Sequence, residues 1–124
     1  MLRNSRSARG VSLADATSLI LSMPGVSAGR SYGFPAFKLA DEFFARFRDD
    51  DTVLVVKLGS FPDRDFLMAS DRETFFTTDH YRDHPTILIR LARVDKRVLR
   101  DILVDAAQRI AAKPGRRKRP RPKT

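Results

Sequence analysis

From Ser31 to Leu58 apolar and polar residues alternate with the period of two that belongs to β-strands. The pattern predicts three strands, Phe34 to Ala40, Glu42 to Arg48 and Thr52 to Leu58. In the second, parity sets Phe43, Ala45 and Phe47 against Phe44, Arg46 and Arg48; in the third, it sets Leu54, Val56 and Leu58 against Val53, Val55 and Lys57. Phe37 and Leu39 likewise oppose Ala36 and Lys38 in the first. One face is therefore almost wholly apolar, and the other mixes apolar residues with cations, as in an antiparallel sheet covered on one side. Asp49 to Asp51 mark the second turn. The first turn, around Asp41, lacks the glycine that a two-residue hairpin favours, so its register is loosely specified.

The flanks switch to a helical period. Ser12 is placed to cap a first helix, with Leu13, Ala16, Ile20 and Met23 on one side, and Pro24-Gly25 stops it. Val26 to Gly33 is rich in small residues and is expected to be a linker. Ser60-Phe61-Pro62-Asp63 predicts a second helix start, with Phe66, Leu67 and Ala69 inward. Glu73 to Thr78 is expected as a fourth strand, Asp79 to Pro85 as a polar loop and Thr86 to Leu91 as a fifth strand. Asp95 is expected to cap a last helix, with Val98, Leu99, Ile102, Leu103, Ala106 and Ile110 in a 3.6-period stripe. The expected fold is α+β, a two-layer sandwich in α-β3-α-β2-α order, with a mostly antiparallel sheet and its helices on one face.

Composition narrows the function classes. The 124 residues suit one domain, here expected over residues 11–112 between a basic arm (1–10) and a basic tail (113–124), both expected to be disordered. The absence of cysteine removes disulfides, thiolate metal sites, iron–sulfur clusters and a cysteine nucleophile. No apolar run approaches the roughly 20 residues of a membrane span, and the basic start lacks a continuous apolar segment behind it. A cytoplasmic protein without a membrane partner is expected.

The net charge of +9 is unevenly placed: residues 1–10 and 113–124 hold 10 of the 24 Lys and Arg and no acid, leaving 14 basic against 15 acidic residues between them. The seven Lys and Arg of residues 113–124, among them Arg116, Arg117, Lys118, Arg119 and Arg121, make the tail the strongest electrostatic feature for nucleic acid, with an upper-limit salt slope of roughly −6 on duplex DNA. Such contacts carry no sequence information, and a solubilising tail would look the same. In the body, Lys38, Arg46, Arg48, Lys57 and Arg90 share the outer sheet face, where Phe44 or Tyr81 could stack on bases. Equally, lysine and arginine on a solvated sheet face discourage edge pairing, and Glu42 dilutes the patch.

Asp79-His80-Tyr81-Arg82-Asp83-His84 holds both histidines. A loop does not assure metal geometry, and no HExxH helix is present, so a packed turn outweighs a metal or acid/base site. Neither phosphate-cradle pattern is found around Gly29 to Gly33, and no nucleophile–base–orienter set is evident. No cofactor, metal or catalytic residue is expected.

The chain resembles the YjbR/MmcQ family of small bacterial proteins. The residues that carry the resemblance are Pro24-Gly25-Val26, Ser31-Tyr32-Gly33-Phe34-Pro35-Ala36-Phe37, Phe44-Ala45-Arg46, Val55-Val56-Lys57, Phe75 to Tyr81 and Arg90-Leu91, in order across Leu13 to Ile110. Where family members often carry a Trp early in the fifth strand, this chain has Thr86-Ile87. The resemblance implies a fold like that of secretion chaperones and a DNA-binding role through a double-wing use of the hairpins. The leading expectation is a non-enzymatic DNA-binding protein using the basic sheet face and tail. The alternative is a protein-interaction or chaperone-like adaptor that binds a partner or dimerises through exposed Phe44, Val53, Val55 and Leu88. A third reading is a small enzyme or ligand binder around His80, which a concave pocket holding His80 with convergent polar groups would favour.

Overall fold

The computed structural model describes residues 10–31, 34–48 and 51–112. The remaining parts of the expected arm and the whole tail, with Arg116, Arg117, Lys118, Arg119 and Arg121, lie outside the described residues.

Helix α1 spans Leu13–Leu21, and the Ser12 hydroxyl accepts from the Asp15 amide at 3.1 Å. Strands β1 (Val26–Ser31), β2 (Phe34–Leu39), β3 (Glu42–Arg48) and β4 (Val53–Lys57) follow. Helix α2 (Phe61–Ser70) is capped by Ser60 with Pro in its first turn. Then come β5 (Phe75–Phe76), a single 3-10 turn (Asp79–Tyr81), β6 (Thr86–Arg90) and helix α3 (Lys96–Ala111). The six strands form one antiparallel sheet in the order β1-β2-β3-β4-β6-β5.

The fold is the expected α+β sandwich with three revisions. On α2 the core-facing residues are Leu67 and Met68, while Phe66 (70% exposed) and Ala69, expected inward, are exposed. The supposed linker is β1, paired along its length with β2 from Val26–Leu39 to Ser31–Phe34. Its Ser-Ala-Gly run has little intrinsic strand preference, so pairing rather than side-chain pattern makes it a strand. The fourth predicted strand shrinks to Phe75–Phe76.

Parity also fails at one point. Ala45 lies opposite Phe37, yet Phe43 lies opposite the next residue, Lys38, so β3 carries one extra residue, Phe44. This β-bulge turns Phe44 to the helix side, where it is completely buried beside Ala45 and Phe47, and sends Phe43 to the other face. The adjoining hairpin uses only Ala40 and Asp41 between the strands. Both have positive φ (53° and 67°), the type I′ arrangement, without glycine.

All three helices pack on one face. Ile20 of α1, Leu67 and Met68 of α2, and Leu99, Leu103, Ala106 and Ile110 of α3 meet Phe37, Phe47, Leu54, Val56, Ile87 and Ile89 in one apolar cluster. Phe37 and Phe47 stack edge to face at 5.9 Å. Gly10 and Val11 belong to this body: their amides donate to the carbonyls of Val94 and Leu91. A second, smaller cluster of Val53, Val55 and Leu88 lies on the opposite face beneath Phe43, Phe76 and Tyr81. The four residues expected to be exposed in an adaptor are buried: Val53, Val55 and Leu88 lie under three partly buried aromatic residues, and Phe44 is in the main core. Among the described residues no helix is long and apolar enough to cross a membrane.

Candidate nucleic-acid interface

The sheet register places all five predicted body cations on the face away from the helices. Lys38 lies opposite Phe43, Arg46 opposite Val55, Arg48 and Arg90 opposite Val53, and Lys57 opposite Thr86. Their positions follow from the parity of β2, β4 and β6, and from that of β3 beyond the bulge.

Their surroundings differ. Lys38 is exposed. Arg46 is half-buried and donates from Nη2 to the Tyr81 hydroxyl at 2.9 Å. Lys57 pairs with Glu42 at 3.3 Å, so Glu42 does offset part of the patch. The Arg90 guanidinium lies 4.0 Å from the centroid of Phe76 and donates to the Glu73 carbonyl at 3.2 Å. A cation over a ring is held in place yet keeps its charge. Arg48 is half-buried at the far end of β3. Phe44 cannot stack on a base, because it is in the core; among the described residues Phe43, Phe76 and Tyr81 pack on this face.

The segment after β5 closes one side of the face. His80 is exposed and meets Tyr81 edge to face at 4.6 Å. The Asp79 carboxylate pairs with Arg82. Among the described residues no group of three or more His, Cys, Asp or Glu is arranged to hold a metal. What forms instead is a concave pocket of about 370 Å³. Phe43, Arg46 and Lys57 of the sheet line it together with His80, Tyr81, His84, Pro85 and Thr86.

Two contributors escape sequence reasoning. Phe43 enters the pocket only because of the bulge. Arg64, on α2, donates from Nη1 to the carbonyls of Arg82 at 2.7 Å and His84 at 3.1 Å, fastening the pocket wall from behind. The Pro85 carbonyl adds a second fastening by accepting from the amides of Leu58 and Gly59 at 2.9 and 3.0 Å. Nothing near Arg64 in the sequence signals a contact 18 to 20 residues away.

Among known proteins, no family model, no curated protein and no solved structure matches the chain.

Proposed function

We propose that this chain is a non-enzymatic DNA-binding protein of the YjbR/MmcQ type, which holds the nucleic acid on the open face of its sheet while the basic tail adds affinity. The observation that carries the reading is the gathering of Lys38, Arg46, Arg48, Lys57 and Arg90 on the sheet face that no helix covers. Three aromatic side chains interleave with them there. Cations interspersed with aromatic rings suit a nucleic-acid strand, because phosphates take the charge and unstacked bases take the rings. The YjbR/MmcQ resemblance supports the same assignment.

Fluorescence anisotropy with labelled DNA across a salt series tests this, on the full chain and on a version ending at Ala112. Each phosphate contact contributes about −0.9 to the slope of log K against log salt on duplex DNA. The shortened protein should keep a measurable slope. Replacing Arg46, Arg48 and Lys57 by Ala should flatten it by about 2 to 3. Loss of all binding on shortening the chain would refute a DNA site on the folded body.

A further inference from the structure

We infer that the pocket between β3, β4 and the His80–Pro85 segment is a receptor for one nucleoside monophosphate unit, with its base between Phe43 and Tyr81 and its phosphate at Arg46 and Lys57. For the case in which that unit belongs to a strand, the inference rests on the nucleic-acid reading; for a free mononucleotide it does not.

Size comes first. The pocket's 370 Å³ falls at the lower end of the roughly 300–1,000 Å³ typical of small-ligand sites, room for one nucleotide rather than several. Rigidity comes next. Phe43 and Tyr81 both rest on Val53, Val55 and Leu88, which are at most 5% exposed. Their rings therefore line the pocket from a fixed apolar footing. Tyr81 is further pinned by Arg46, and its segment is fastened by Arg64 and by the Leu58 and Gly59 amides. Preorganised walls lower the ordering cost of binding.

Charge selects the class. Arg46 and Lys57 bring two permanent positive charges to the lining, which disfavours a cationic ligand. The Tyr81 oxygen accepts from Arg46, so its own hydrogen is directed elsewhere and can be donated to a ligand oxygen. Lys57 has Glu42 at 3.3 Å, but the pair is partly solvated, and a phosphate monoester offers more charge and more acceptors than one carboxylate. His80 and His84 stand at the exposed mouth as further hydrogen-bonding groups. Inorganic phosphate would use the cations and leave the rings idle; an unphosphorylated nucleoside would do the reverse. A nucleoside monophosphate uses both.

The test is calorimetric titration of the full chain with a nucleoside 5′-monophosphate, with the matching nucleoside and with inorganic phosphate. A parallel anisotropy series compares a single-stranded oligonucleotide with one in which every base is absent. The nucleotide should bind at least about tenfold more tightly than either fragment, since stacking and charge each contribute on that scale. Lys57→Gln should weaken the nucleotide and leave the nucleoside unchanged. Phe43→Leu should weaken nucleotide and nucleoside alike, by about tenfold. Tyr81→Phe, which removes one hydroxyl and keeps the ring, serves as a second probe of the phosphate end should Phe43→Leu not fold. Equal affinity for phosphate and nucleotide would overturn the inference. So would strand binding that all three substitutions leave unchanged together with no saturable nucleotide binding, and in that case DNA binding itself would survive. Binding of the free nucleotide with no strand binding would support the pocket and remove the DNA reading.

Discussion

The bulge in β3 makes opposite claims about two adjacent phenylalanines, and substituting each in turn separates them. Phe44 is fully buried in the main core, whereas Phe43 is half-exposed over the small cluster on the other face. Full burial of a phenylalanine side chain is worth about 1.5–3 kcal/mol in transfer from water, and the cavity left by truncation raises the cost of Phe44→Ala to about 3–5 kcal/mol. Truncating Phe43 leaves an open notch rather than a closed void, and about 1 kcal/mol is expected. A domain of this size has about 5–15 kcal/mol in total, so Phe44→Ala removes roughly a third to a half of a mid-range stability. In urea, with a slope of about 1.5 kcal/mol/M, the midpoint should fall by about 2–3 M for Phe44→Ala and by less than about 1 M for Phe43→Ala. Lysine sharpens the contrast: Phe44→Lys should not fold, while Phe43→Lys should fold and add a cation to the open face. An unbulged strand predicts the reverse. A larger loss for Phe43→Ala than for Phe44→Ala, or a folded Phe44→Lys, would refute the bulged register.

Two further outcomes follow from local geometry. Ala40 and Asp41 both occupy the left-handed region, which costs an ordinary residue about 1–2 kcal/mol, so the pair Ala40→Asn with Asp41→Gly should stabilise the protein by about 1–2 kcal/mol. A calorimetric melting temperature that fails to rise would argue against a type I′ turn there. The Asp71 carboxyl is held below the ordinary aspartate range, chiefly by the Thr74 hydroxyl donating to it at 2.7 Å; desolvation opposes this, and the Glu73 and Thr74 amides and the charge of Arg93 add smaller lowering effects. Because the folded value is depressed, this carboxylate contributes stability above the pH at which it titrates in the unfolded chain, and the contribution is lost as pH falls through the folded value. Thr74→Val should raise the Asp71 titration midpoint and weaken that acid-limb dependence. An unchanged carboxyl titration by NMR would show that the hydroxyl is not the cause.

What could be read from the chain without coordinates depended on whether the signal was local. Ser12 and Ser60 sit just before helical periods and cap them as their spacing implies, whereas Asp95 occupies the N-cap of α3 without a side-chain cap bond. The 3.6-period stripe of α3 is buried residue for residue from Leu99 to Ile110, while Val98 at its edge stays exposed. The gathering of Lys38, Arg46, Arg48, Lys57 and Arg90 followed from parity alone. Parity assumes an unbroken pleat, however, and the extra residue in β3 exchanged the roles of Phe43 and Phe44. Strand β1 had no pattern to read, because Ser27, Ala28 and Gly29 neither alternate nor prefer extension. The pocket joins Arg46 to Tyr81 across 35 positions and Arg64 to His84 across 20, and no local signal encodes such distances.

The order of the strands has a consequence during synthesis. Four of the five strand pairings among the described residues join neighbours in the chain, and only β4–β6 skips an element. The meander β1 to β4 can therefore form as soon as Lys57 has left the ribosome, but its last strand, Val-Leu-Val-Val-Lys, then presents an apolar edge with no partner. Its partner begins at Thr86, 29 positions later. At about 5–20 residues per second, the nascent chain carries that bare edge for roughly 1.5 to 6 seconds. In that interval a holdase, or a second nascent chain, competes with β6 for the same backbone hydrogen bonds.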